Sequence, residues 1–97
     1  MSRRLTAGQT SRETALLLKY NITEEAYRVL DESQNFRCRT CGLHKTETRY
    51  GVLDVDHDHK TGQIRGLLCS ACNKALGLIK ENPTTLLRMI QYLKRNL

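Results

Sequence analysis

Residues 55–73 read "VDHDHKTGQIRGLLCSACN", and this stretch decides the fold. A half-buried strand alternates apolar with polar side chains, yet residues 56–59 are Asp, His, Asp and His. A strand that gives up most of its apolar face in this way is a candidate for chemistry. The turn "KTG" follows, with Gly62 supplying permissive backbone, and "QIRGLLC" returns as a second strand. The pattern predicts a hairpin from "GVLDVDHDH" and "QIRGLLC", then a helix over 70–80 that Gly77 weakens by about 1 kcal/mol.

Cys69 and Cys72 pair with an earlier Cys38 and Cys41, two Cys-x-x-Cys units with the whole hairpin between them. Two such knuckles offer four thiolates to one ion, and Zn²⁺ prefers that tetrahedral sulfur cage. No thioredoxin-like pattern surrounds the pairs and no cluster-type spacing is present, so a redox or iron–sulfur role lacks support. With four cysteine ligands the zinc has no open position and is structural. The chain has 97 residues, no Trp and one Phe, so its core is modest and a metal staple would supply folding energy. His44, near the first knuckle, reads as a surface residue.

Catalysis then has to lie elsewhere. Asn73 directly follows Cys72, so the zinc would fix where its helix begins, while Asp56 and His57 lie upstream in the hairpin. A carboxylate and an amide oxygen are hard ligands suited to Mg²⁺ or Mn²⁺. A neutral imidazole beside such an ion can take a proton from water near pH 7. The sixteen Lys and Arg against ten Asp and Glu leave a formal charge of +6, which suits a polyanion, nucleic acid above all. Base, metal and basic surface are the parts for hydrolysing a phosphodiester.

These residues, two zinc knuckles bracketing Asp-His-Asp-His with Asn right after the last Cys, resemble the phage recombination endonuclease VII family, a branch of the HNH or ββα-metal nucleases. "KYNITEEAYRVLDESQNFRCRTCG" extends the resemblance from about residue 19 to the C-terminus. It implies an α+β fold: a small zinc-stapled ββα-metal (HNH, His-Me finger) domain with flanking N- and C-terminal helices. It also implies a DNA endonuclease in which Asp56 and Asn73 hold one Mg²⁺ or Mn²⁺ ion, His57 activates water, and Cys38, Cys41, Cys69 and Cys72 hold zinc. Adjacent residues of a regular strand face opposite ways, and the resemblance implies that the strand breaks into a loop at Asp56 and His57. His59 joins the catalytic set as a phosphate contact or orienting group, or else simply closes the strand. Asp58 reads as solvated or as a supporting partner, and Arg65 as a nucleic-acid contact. Leu76 stands where the family's best-known member carries glutamate, and that member's long C-terminal portion lacks a counterpart. Nicking or general double-strand cleavage is therefore expected rather than dedicated junction resolution. The alternative function is a non-catalytic, zinc-stapled nucleic-acid-binding module; a zinc protein-interaction domain explains neither Asn73 nor the charge.

Outward from the hairpin, one domain is expected over 1–97: an N-terminal helical segment (1–35), a zinc-bound ββα core (36–80) and a C-terminal helix (81–97). Thr10 and Glu13 form a capping box before Leu16, Leu17 and Leu18. Thr23 caps a second helix whose spaced apolar residues are Ala26, Val29 and Leu30. Asn82 and Pro83 open the last helix, where Leu86, Ile90, Leu93 and Leu97 form one stripe, expected to pack on this chain's own core in preference to a homodimer seam. No apolar run follows the basic N-terminus and nothing approaches a membrane span, so the expected location is cytoplasmic, that of the host cell if phage-encoded.

Overall fold

The structure, a computed structural model, describes residues 21–95. The expected first helix, with Thr10, Glu13 and Leu16 to Leu18, lies outside the described residues, as does Leu97. The described elements run α1 (Glu24–Ser33), a short 3₁₀ turn (Lys45–Glu47), β1 (Asp54–His57), β2 (Ile64–Leu68), α2 (Ser70–Leu78) and α3 (Pro83–Arg95). The architecture is a small α+β arrangement with a two-stranded antiparallel sheet. No helix among the described residues is long and apolar enough to cross a membrane.

Helix α1 begins where expected, with the Thr23 hydroxyl oxygen accepting from the Ala26 N–H at 3.0 Å and Glu24 and Glu25 in the first turn. Its inward face differs from the apolar spacing. Tyr27 and Asp31 are buried, whereas Ala26 is exposed and Val29 is 61 % exposed. The reason is polar: the Tyr27 hydroxyl donates to the Leu53 carbonyl, which fixes the rotation of the helix over the hairpin. Asn35 and Phe36, both left-handed (φ 55° and 60°), then turn the chain sharply into the first knuckle.

Gln34 joins that turn to the sheet. Its amide oxygen accepts from the Leu67 N–H at 2.9 Å and its amide nitrogen donates to the Leu67 carbonyl at 2.9 Å, completing the open edge of β2. Gly66 makes this approach possible, since a Cβ there would lie 3.2 Å from both the Gln34 oxygen and Arg39 Cδ. The core that results contains Ile22, Tyr27, Leu53, Val55, Leu67, Leu68 and two cysteines, Cys38 and Cys69, with Leu67 fully buried.

The strands are shorter than the sequence pattern suggests, because the connection is made by a wide turn. Asp58 N–H donates to Gln63 O at 2.8 Å, and Asp58 Oδ1 accepts from the Lys60 and Thr61 N–H groups. Asp58 thus shapes the turn, and these bonds hold its carboxyl below the usual range. Helix α2 ends at Leu78, short of residue 80, and Lys80 and Glu81 follow in left-handed backbone. Asn82 Oδ1 accepts from Thr84 and Thr85 N–H to open α3, as expected. The stripe on α3 does not behave as expected: Leu86, Ile90 and Leu93 are exposed, and none of them belongs to the core of the described residues. The left-handed pair at 80 and 81 directs α3 away from the hairpin instead of folding it back.

Candidate functional site

The first knuckle is a tight loop in which Cys38 N–H donates to Leu43 O at 2.8 Å and Gly42 N–H donates to Cys38 O at 3.0 Å. Gly42 needs its positive φ of 79° to close that loop. Arg39 N–H donates to Leu67 O at 3.1 Å, seating the loop against β2. The second knuckle is the start of α2, where Cys69 is the N-cap and its sulfur accepts from the Cys72 N–H at 3.4 Å. Together they bring the sulfurs of Cys38, Cys41, Cys69 and Cys72 within 4.8 Å of one another. Sulfurs around a tetrahedral zinc at 2.3 Å stand about 3.8 Å apart, and Cys41 Sγ and Cys69 Sγ are separated by 3.8 Å.

The electrostatics of the cluster call for a cation. Burial pushes the Cys38 thiol up, but N–H donors of Cys41 and Cys69 and the Thr40 hydroxyl outweigh it and bring it down to about 5. Cys72, despite the opposing Thr40 hydroxyl, is pushed up to about 12 by burial and the other three sulfurs, and Cys69 is raised, chiefly by burial. Cys38 is thus shifted opposite to Cys69 and Cys72, a conflict that a divalent cation removes. His44 is not a fifth donor: it caps the 3₁₀ turn, its Nδ1 accepting from Thr46 N–H at 3.2 Å.

The second cluster lies toward the turn of the hairpin. Val55 pairs with Leu67, Asp56 with Gly66, and His57 with Ile64, so Arg65 is an extra residue on β2 and forms a bulge. The ladder continues through His57, which corrects the expectation that the strand breaks into a loop. A bulge re-aims side chains without ending the pairing, and here Asp56 and His57 line the same cleft. That cleft, about 310 Å³, is also lined by Val55, His59, Asn73, Lys74 and Gly77. Asn73 arrives from the first turn of α2, directly after Cys72, its N–H donating to Cys69 O at 3.0 Å. The His57 and His59 rings lie 4.9 Å apart. The four expected catalytic residues thus come together from the hairpin and from α2.

The recombination endonuclease VII family model matches residues 13–95, most of the chain. The chain belongs to the recombination endonuclease VII family. It is 45 % identical over 89 residues to the Gene 59 protein of Mycobacterium phage D29, covering 91 % of this chain and 53 % of that one. It is 42 % identical over 91 residues to the Gene 59 protein of Mycobacterium phage L5, covering 93 % and 54 %. The chain spans about half the length of these curated relatives. No solved structure matches it.

In this member of the endonuclease VII family, two features at and beside the cleft escape the sequence pattern, Arg65 and Glu81 lining an adjoining cavity. Asp56 is 7 % exposed, and both its oxygens accept from Arg65: Oδ2 from Nε at 2.9 Å and Oδ1 from Nη2 at 3.0 Å. The second is Glu81, from the junction of α2 and α3. Its Oε1 pairs with Arg65 Nη2 and its Oε2 accepts from His59 Nδ1 at 2.8 Å. These partners, His59 first and Arg65 second, hold the Glu81 carboxyl below its usual range. The only sequence signal for Glu81 is its place before the Asn-Pro cap, and that signal speaks of a helix start rather than a site.

Proposed function

We propose that this domain is a metal-dependent DNA endonuclease of the HNH, ββα-metal type, hydrolysing phosphodiester bonds by nicking or double-strand cleavage. The observation that carries the proposal is the convergence of Asp56, His57, His59 and Asn73 on one cleft in a chain of this family. Cys38, Cys41, Cys69 and Cys72 would hold structural zinc; their spacing and mutual electrostatics fit it. Asp56 and Asn73 offer the hard oxygen donors that Mg²⁺ or Mn²⁺ prefers. Such an ion supplies charge stabilisation at the leaving 3′ oxygen.

His57 takes the proton from the attacking water as general base. His59, bonded to Glu81, orients the site or reaches phosphate through its other nitrogen. Arg65, with a side chain 38 % exposed, and Lys74 on the cleft wall meet the strand's negative charge. The substrate is DNA and, as for a phage protein, the place of action is the host cell cytoplasm.

One observation favours the second reading, a non-catalytic nucleic-acid-binding module: Asp56 already has a bidentate partner in Arg65. Supercoiled plasmid, incubated with zinc-loaded protein and Mg²⁺ or Mn²⁺, separates the two. Nicking that stops when the added divalent ion is withheld, with zinc retained, is the expected result. Plasmid that is bound but left intact would support the binding module and overturn the endonuclease.

A further inference from the structure

The Asp56 carboxylate is buried and accepts a parallel pair of bonds from one guanidinium. A buried carboxylate without a compensating charge is strongly unfavourable, and Arg65 supplies that charge from within the chain. The same oxygens are the ones a divalent ion at this cleft would use. Arg65 is also placed unusually: it is the bulged residue of β2, and its Nη2 reaches Glu81 and, at 3.4 Å, the His57 carbonyl. Glu81 is held by the left-handed turn between the helices, with its N–H donating to Leu76 O at 2.8 Å.

We propose that Arg65 is a resident counter-ion of Asp56 that gives way when a divalent ion arrives, with Glu81 as the second anchor that keeps the guanidinium beside the cleft. The proposal rests on the endonuclease reading above. Two cations cannot both lie flat against one carboxylate, so Arg65 must leave at least one Asp56 oxygen for the site to load. Glu81 keeps the guanidinium in the adjoining cavity, which Lys60 and Lys80 also line, and its released N–H donors are then available there to phosphate oxygens. Arg65 thus lowers metal affinity in the absence of DNA and is released toward substrate when the site fills. Metal occupancy and phosphate binding become coupled through one side chain.

The test is calorimetric titration of Mn²⁺ into zinc-loaded, DNA-free protein, with zinc content and far-UV circular dichroism followed in every variant. Arg65→Gln is expected to bind Mn²⁺ more tightly than wild type by about tenfold, the worth of one charge-assisted pair. Arg65→Lys keeps the charge but lacks the planar fork, and it is expected to tighten binding by a smaller factor. Equal affinity of Arg65→Gln and wild type would overturn the proposal. So would an Arg65→Lys protein identical to wild type beside a tighter Arg65→Gln, because net charge alone would then account for the effect. Asp56→Asn in the Arg65→Gln background is expected to abolish the binding. Mn²⁺ binding that survives Asp56→Asn would place the metal elsewhere and overturn the endonuclease assignment of Asp56 as well, a result distinct from the failure of the Arg65 role alone.

Discussion

At one end of the hairpin four thiols crowd within 4.8 Å, and toward the other a buried carboxylate, a guanidinium and a second carboxylate line up beside two histidines. Both clusters concentrate groups that can carry negative charge, but among the described residues only the second shows an ion pair with a cation of its own. Among the described residues the thiols meet hydrogen-bond donors and one another, so Cys38 is brought down while Cys72 is pushed up. Asp56 and Glu81 share Arg65, whose guanidinium lies against both carboxylates. A cluster without an internal counter-charge depends on a metal for its fold. A cluster with one can stand metal-free and load an ion reversibly. On the endonuclease reading proposed above, the first would be the structural site and the second the catalytic one.

The largest effect that would break this comparison is at the cysteines. Structural zinc contributes about 10–16 kcal/mol in small zinc domains, as much as or more than the roughly 5–15 kcal/mol by which whole domains are stable. Cys69→Ala should therefore unfold the protein, lost helical circular dichroism being the readout, and a folded, active variant would show the zinc to be dispensable. In the core that seats the knuckles, Leu67→Ala should lower stability by about 2–5 kcal/mol in urea melts without altering zinc content. A smaller loss would mean that the Gln34 and Arg39 contacts, not Leu67 packing, hold the loop on β2.

At the cleft, effects on stability should be small. Glu81 carries a lowered pKa, so the stability it contributes is present above the ordinary carboxylate range and is lost as pH falls through its folded value. Wild type and Glu81→Gln should differ in Tm at pH 7 and converge only once the pH has fallen below the lowered folded value of Glu81. A difference that persists unchanged into acid would remove the charge-based role of Glu81.

The parts of this comparison differ in how openly the sequence states them. The cysteine pairs, the Thr23 and Asn82 caps and the hairpin are local patterns, each set by residues within a few positions, and the structure shows each of them. The bulge at Arg65, the Gln34 bonds to Leu67 and the Glu81 bridge join residues 9 to 33 positions apart, and no local period encodes them. Helix α1 shows the same limit. Its apolar spacing points to Val29, yet a tyrosine hydroxyl seeking the Leu53 carbonyl sets the buried face. On α3, the spacing of the leucines marks an apolar face correctly, but the turn at residues 80 and 81 decides that the face stays exposed.

The most direct measurement is plasmid nicking by wild type and His57→Ala at matched zinc content, in Mn²⁺. If the cleft is a hydrolytic centre with His57 as its base, the variant should keep its fold and its DNA binding and cut about 10²–10⁴-fold more slowly. A His57→Ala protein that nicks as fast as wild type would contradict the account.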